Sequence, residues 1–357
     1  MGGTADYTVI RPFVDEALFL FYKKEKEKEI MKKYQTILDV YQTQKAIEKL
    51  RHYFQDEFAD TLSLTRVTAP LFVLSGTGLN DELNGIEKAV SFQVFDHTAE
   101  IVHSLAKWKR YALKKYDFYM HKGIYTDMNA IRKDETADAI HSYYVDQWDW
   151  EYIIEKEERT IKTLKEIVKK IYKVLLKTED YITKEFPSLY KTLPEDIYFI
   201  TSQELEDLYP HKSPKEREYE ICKDKKAVFL MQIGKELKSG ISHDGRSPDY
   251  DDWELNGDIL VWYDVLGIPF ELSSMGIRVD KDSLIKQIEI RDASEKLEQS
   301  YHQMILKEEL PYTIGGGIGQ SRVCMFLLEK AHIGEVQVSV WPEDLIKEYE
   351  EKGIKFL

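Results

Sequence analysis

Three consecutive glycines, Gly315 to Gly317, followed by Gly319 in TIGGGIGQSRVCMFLL, constrain this chain more than any other feature. Without Cβ atoms, the backbone there can come close to a planar or anionic ligand. The helical pattern that follows begins near Gln320 and carries Arg322 in its first turn. A guanidinium so placed can clamp a phosphate bidentately. A glycine-rich turn that merely packs a helix on a sheet would read the same way, so the loop alone leaves both readings open. It is neither a Walker A loop, which needs Lys-Ser/Thr after its last glycine, nor a GxGxxG fingerprint.

The rest of the chain does not alternate strand and helix strictly. Apolar residues at Ile30, Tyr34, Ile37, Leu38, Tyr41, Ile47, Leu50 and Phe54 recur at helical spacing, and no proline lies between Pro12 and Pro70. LTRVTAPLFVLSG reads as a strand interrupted at Pro70. A helix is expected over residues 151–185, with Ile161, Leu164, Val168, Ile171 and Leu175 on one stripe. A charged connection over 209–226 leads to the strand AVFLMQIG. The strands DILVWYDVL (258–266) and PFELSSMGIRV (269–279) pair through the short Gly267–Ile268–Pro269 link as an antiparallel hairpin. Helices over 282–307 and 320–330 follow. Short antiparallel strands with helices on either side argue for α+β and against a doubly wound nucleotide fold. Residues 1–35, with the run KKEKEKE, read as a helical extension ahead of one catalytic domain over 36–357.

Charge and cysteine content narrow the function classes. Acidic residues outnumber basic ones, 64 to 50, for a formal charge of −14. Such a surface repels polyphosphate, so no nucleic-acid partner is expected. Cys222 and Cys324 are the only cysteines, which excludes a disulfide framework or a CxxC metal knuckle and suits a reducing cytoplasm. The longest apolar run near the start, Ala17–Tyr22, is too short to span a bilayer, so no membrane partner is expected. The histidines show no HxxxH or HExxH spacing, and Cys324 in VCMFLL reads as core.

Two further segments carry chemistry. IRKDE (131–135) places Arg132 near a strand end, and HSYYVDQWDWE (141–151) follows it. By the two-residue period Val145, Gln147 and Asp149 share one strand face, while Trp148 and Trp150 face the core. An amide and a carboxylate together can hold an ammonium group; a polar solvated face would look alike. In the hairpin, Asp258 shares a face with Leu260 and Trp262, and Glu271 with Ser273. Two carboxylates brought together there can hold Mg²⁺ on a polyphosphate.

Taken in order, TRVTAPLFVL, IRKDE with HSYYVDQWDWE, and GGGIGQSR resemble the three signature motifs of the class II aminoacyl-tRNA synthetase catalytic fold. HSLAKWKR (103–110), YVDQWDWE (144–151), PDYDDW (248–253), LNGDILVW (255–262), FELSSMGIRVD (270–280) and TIGGGIGQSR (313–322) resemble one branch more closely, the aspartate–ammonia ligase family. The resemblance covers roughly residues 36 to 345.

It implies an ATP-dependent ligase that makes asparagine from aspartate and ammonia through β-aspartyl-AMP. Arg132 is then expected at the α-phosphate and Arg322 at the γ-phosphate, with His141 and Gly319 beside the nucleotide. Asp258 and Glu271, with Ser274 nearby, are expected to hold Mg²⁺. Asp81, Gln147, Asp149 and Asp251 are expected to meet the aspartate ammonium and the incoming ammonia, with Asp81 as first choice for taking the proton. Lys109 and Arg246 would meet the substrate carboxylates, and Ser104 and Ser273 would line the pocket. Lys107 and Arg110 read as surface charges. The resemblance also implies a homodimer through the Pro70 segment. Two rivals remain at this level: an aspartyl- or asparaginyl-type aminoacyl-tRNA synthetase, and an amino-acid sensor that has kept the fold without the activity.

Overall fold

The computed structural model describes residues 34–83 and 87–357, so the expected extension over 1–35 lies outside the described residues except for Tyr34 and Gln35. Helix α1 (Val40–Leu62) starts at a capping box, in which the Asp39 carboxylate accepts the Gln42 N–H and the Gln42 side chain accepts the Asp39 N–H. Ser63, at φ 52°, ends it in the left-handed region.

Eight strands form the main sheet. In spatial order they are β1 (Leu64–Arg66), β5 (Gly123–Ile131), β6 (Tyr144–Ile153), β11 (Thr313–Gly319), β10 (Ile268–Arg278), β9 (Asp251–Tyr263), β8 (Ala227–Met231) and β7 (Tyr198–Thr201). Only the edge pairs β1–β5 and β7–β8 are parallel; the five pairings between them are antiparallel. A small second sheet contains β2 (Phe72–Leu74), β4 (His97–Ile101) and β3 (Ser91–Val94). The TRVTAPLFVL segment is therefore two strands in two sheets, with Pro70 in the break between them.

Helices α1 and α3 (Ile161–Glu185) pack on one face of the large sheet, joined by Tyr53 stacked on Tyr181 at 4.2 Å. Leu164, Val168, Ile171 and Leu175 are buried in that interface, as their spacing required. Trp148 and Trp150 point the same way, and Phe54 stacks on Trp148 at 4.2 Å. Since β6 sends Trp148 and Trp150 to the helices, it sends Gln147, Asp149 and Glu151 to the opposite face. That face, flanked by α2 (Ala106–Lys115) and by the segment leading into β9, carries the site.

The structure corrects several boundaries. The helix expected from residue 151 starts at 161, because 144–153 continue as strand and Thr160 caps the Thr163 N–H. The expected charged connection is helix α5 (Pro214–Lys225), following α4 (Ser202–Leu208). Ser213 and Glu216 form its capping box and Pro214 occupies its first turn; its charged residues hid an inner face that includes Ile221 and Cys222. Strand β9 begins at Asp251, seven residues earlier than expected. The hairpin turns at 264–267, with Ile268 and Pro269 already inside β10. The helix expected over 282–307 divides into α6 (Lys281–Ile290) and α7 (Ser300–Leu306), broken where Asp292 takes φ 48°. The last two helices are α8 (Gln320–Leu327) and α9 (Glu343–Glu351). No described helix is long and apolar enough to cross a membrane.

Candidate active site

The glycine run is strand rather than loop. In β11, between β6 and β10, Gly315 lies opposite Glu151 and Gly317 opposite Asp149. A Cβ on Gly315 would collide with the Glu151 carboxylate and with Arg278, and one on Gly317 with the Gln147 amide. The glycines thus make a floor across which side chains from neighbouring strands lean. The expected close approach of backbone to ligand is in part an approach of backbone to these side chains.

Above this floor lies a cleft of about 370 Å³. Arg132 and Arg322, 190 positions apart in sequence, both line it. So do Asp81, Ser104, Lys109, Gln147, Asp149, Arg246, Asp251, Ser273, Ser274, Glu271, His141 and Gly319. Of the expected site residues, only Asp258 is absent from the cleft wall. It sits just beneath, 6% exposed, on β9 opposite Ser274. A bulge between Glu271 and Ser273 shifts the register, so Ser274 rather than Ser273 faces Asp258. The expectation that Glu271 and Ser273 share a face fails for this reason.

Arg132 begins just past the end of β5. Its Nη2 reaches only the His103 carbonyl at 3.5 Å, and its buried Nε has no partner among the described residues. Arg322, in the first turn of α8, donates to the Glu271 carbonyl at 3.0 Å and lies over the Phe270 ring. His141 is braced by Asp138 at 2.9 Å. Ser273 donates to the Gly317 carbonyl, and the Ser104 hydroxyl accepts the Ala106 N–H. The Asp81 carboxylate accepts the Leu83 N–H, and no cationic side chain lies within ion-pair distance of it among the described residues.

The remaining charges are paired with each other. Lys109 donates to Asp149 at 2.5 Å and to the Gly316 carbonyl at 2.9 Å, all buried. Burial holds the Lys109 ammonium below its ordinary value despite Asp149. Arg278, at the end of β10, binds Glu151 through two nitrogens and also binds Asp251. Burial keeps the Asp251 carboxyl raised even so. Arg246 binds Asp258, and the second Asp258 oxygen is buried without a well-formed hydrogen bond among the described residues, although the Ser274 hydroxyl opposite favours its charged form. Burial, with the charge of Glu271 adding to it against Arg246, pushes Asp258 up to about 7. Burial also acts on Glu271, but Arg322, Arg246 and Lys215 outweigh it and hold that carboxyl below its ordinary value.

Lys107 and Arg110, expected at the surface, are buried. Lys107 pairs with the fully buried Asp249 at 2.8 Å, and Arg110 donates to the carbonyls of Pro311 and Val279. Sequence reasoning missed Arg278, Glu151 and Tyr250, which shape the site. Glu151 was one step further along the period that selected Gln147 and Asp149. Arg278 lies in FELSSMGIRVD, where its spacing does not distinguish it from an arginine that ends a strand facing solvent.

The Aspartate-ammonia ligase family model matches residues 41–353. The aspartate–ammonia ligase of Ruminiclostridium cellulolyticum is 58% identical over 327 residues, which cover 91% of this chain and 97% of the relative. That of Pediococcus pentosaceus is 58% identical over 91% of this chain and 98% of its own. Among solved structures, asparaginyl-tRNA synthetase from Pyrococcus horikoshii complexed with asparaginyl-adenylate superposes with a TM-score of 0.61 at 14% identity, covering 84% of this chain and 70% of that one. The Entamoeba histolytica asparaginyl-tRNA synthetase with asparaginyl-adenylate gives 0.58 at 15%, covering 84% and 66%. The fold is therefore the class II aminoacyl-tRNA synthetase catalytic fold, and the chain belongs to the aspartate–ammonia ligase family.

Proposed function

We propose that this chain is an ATP-dependent ligase that converts L-aspartate and ammonia to L-asparagine through β-aspartyl-AMP, releasing AMP and pyrophosphate. The observation that carries this reading is the meeting, in one cleft of a chain of this family, of two guanidiniums from distant motifs. We further infer a catalytic domain over 36–357 and a cytoplasmic enzyme, which two free buried cysteines suit.

A carboxylate is a poor electrophile, and adenylation gives its carbon a good leaving group. The aspartate β-carboxylate oxygen attacks the α-phosphorus, and the bond to the β-phosphate oxygen breaks. Arg132 has spare donors to meet the charge that grows on the α-phosphate. Arg322, with His141 and Gly319 near it, would hold the outer phosphates. Lys109 and Arg278 would meet the substrate carboxylates, and Gln147 and Asp149 its ammonium. Arg246 would leave Asp258 for a phosphate or a carboxylate. Ammonium then gives a proton to Asp81, its nitrogen bonds to the acyl carbon, the bond from that carbon to the AMP oxygen breaks, and a second proton goes to water.

Asp258 and Glu271 fit a magnesium ion carried in by the nucleotide. The orphaned buried oxygen of Asp258 and the mutual repulsion of the two carboxyls would both be relieved by a divalent cation. Among the described residues no group of three or more acidic, His or Cys side chains stands ready for a metal, so phosphates would supply further ligands. When bound, the ion supplies neutralisation of phosphate charge.

A homodimer is proposed through the small sheet, where Leu71, Phe72, Leu74, Phe92 and Phe95 are exposed. The decisive test of function is incubation with ATP, Mg²⁺, aspartate and ammonium. Asparagine and AMP should form together; ADP in place of AMP would end the adenylate reading.

A further inference from the structure

Tyr250 has no role in the scheme above, yet its side chain forms part of the cleft wall. The Arg278 guanidinium lies 5.8 Å from its ring centroid. Its phenol makes no hydrogen bond to any described residue, and the carboxylates it senses most strongly are Asp81 and Asp251. Burial, and then those two charges, hold the phenol well above its ordinary value. At neutral pH it is an uncharged O–H whose oxygen can still accept a hydrogen bond.

The chain on either side of Tyr250 is fixed. Fully buried Asp249 accepts from Lys107 at 2.8 Å, His302 at 2.9 Å and Ser247 at 2.6 Å. The Tyr250 carbonyl accepts the Val279 N–H at 2.9 Å, and Asp251 is bound by Arg278. None of these contacts is needed to hold a phosphate or a metal. Together they fix the backbone that carries the phenol, and the Arg278 guanidinium lies against its ring, as an orienting group requires.

The charge pairing of the cleft says what the phenol can hold. Asp149, Glu151, Asp251 and Asp258 each have a cationic side chain of the protein at hydrogen-bond distance. Asp81, Glu87, Glu135 and Tyr250 line the cleft without one among the described residues, and of these three carboxylates Asp81 is the one whose charge bears on the phenol. Substrate aspartate is tethered by its own carboxylates as well as its ammonium. A free ammonium ion has no such second handle, so it needs acceptors that no resident cation already occupies.

We propose that the Tyr250 phenol oxygen and the Asp81 carboxylate together bind the ammonium nucleophile, the phenol accepting one N–H while Asp81 takes the departing proton. This rests on the ligase reading. The phenol fixes the orientation of the nitrogen, so that the lone pair freed by deprotonation faces the acyl carbon.

The test is Tyr250→Phe in the full chain, which keeps the ring and removes only the oxygen. Ammonium chloride is varied at saturating ATP and aspartate. Aspartate-dependent ATP–pyrophosphate exchange reports adenylation separately. Hydroxylamine, uncharged at about pH 8, serves as a nucleophile that brings no ammonium charge. The KM for ammonium should rise about tenfold or more, as for loss of a hydrogen bond to a charged partner. Exchange and the KM values for ATP and aspartate should stay within about twofold, and hydroxamate formation should fall less than threefold. An ammonium KM within twofold of wild type overturns the proposal. So does an equal rise in the aspartate KM, which would assign the phenol to the amino acid instead. A wild-type protein with no exchange and no asparagine would overturn the ligase reading itself, a result separable from both.

Discussion

His332 offers a perturbation whose size can be worked out from its surroundings. It is fully buried in a cage of Phe356, stacked at 4.3 Å, with Tyr349 and Trp341 edge-on at 4.5 and 4.8 Å. Its Nδ1 accepts the Gly334 N–H at 2.9 Å, so the proton of the neutral ring sits on Nε2, which has no partner among the described residues. Burial pushes this imidazole down from 6.5 to about 4. The folded value lies below the unfolded one, so as pH falls through about 6.5 the unfolded chain takes up the proton first. Stability from this group is full above that pH and is lost progressively down to about 4. At 1.36 kcal/mol per pH unit, the gap amounts to about 3 kcal/mol. His332→Phe removes the titration and leaves the Gly334 N–H without its acceptor, a constant loss of about 1–3 kcal/mol. Urea unfolding of both proteins between about pH 4 and 8 separates the two effects. The variant should be the less stable at pH 8, and its deficit should shrink by about 3 kcal/mol as pH falls to 4. A deficit that is constant or grows on acidification would refute the argument. The consequence reaches the site, because the adjoining Ile333 lines the cleft and its N–H is bound to the Ala139 carbonyl at 2.8 Å.

Four other outcomes follow from the charge arrangement and the surface. Arg278→Met leaves Glu151 and Asp251 buried without their cation, and should destabilise the protein by about 3–5 kcal/mol in urea unfolding. With Asp258 as the proposed metal ligand, protons would compete with the cation there, so the concentration of Mg²⁺ needed for half-maximal activity should rise as pH drops below about 7; Asp258→Asn should abolish activity. Phe95, 95% exposed on the small sheet, belongs to the proposed dimer face. Phe95→Asp should convert the dimer to monomer in light scattering, and a wild-type monomer at the same concentration would remove the dimer proposal.

What was legible in the sequence was whatever obeys a short period. Trp148 and Trp150 against Gln147 and Asp149 could be divided between two faces because β6 is regular. The stripe of α3 was visible for the same reason. Helix α5 was not, because Arg217 and Glu218 are buried alongside Ile221 and Cys222, so charge and apolarity do not separate by face. The same confusion put Lys107 and Arg110 at the surface: α2 is buried on nearly every side, Lys107 is neutralised by Asp249, and the Arg110 N–H groups are met by backbone carbonyls. Ser274 could not be told from Ser273, since a one-residue bulge leaves no mark in composition. Pairings such as Arg278 with Glu151, 127 positions apart, exist only once the sheet has formed.

The division between paired and unpaired charges itself argues for the assignment of roles. A cleft holding several buried ions is tolerable only if they neutralise one another, and Lys109, Arg278 and Arg246 each do so with a carboxylate. Such groups are poor choices for an event in which charge appears suddenly, because their partners must first be exchanged. Arg132 is different: among the described residues its Nε has no acceptor and its only hydrogen bond is a long one to a carbonyl. Asp81 is its counterpart among the acids. Arg132 and Asp81, neither of which has an ion-pair partner among the described residues, are the two that the proposed scheme gives to the reacting phosphorus and to the departing proton. On the proposed scheme, charge already paired in this cleft orients substrates, and charge left free serves the transition state. If that is right, Arg132→Lys should lower kcat far more than it raises the KM for ATP, whereas Lys109→Met should act mainly on the KM for aspartate.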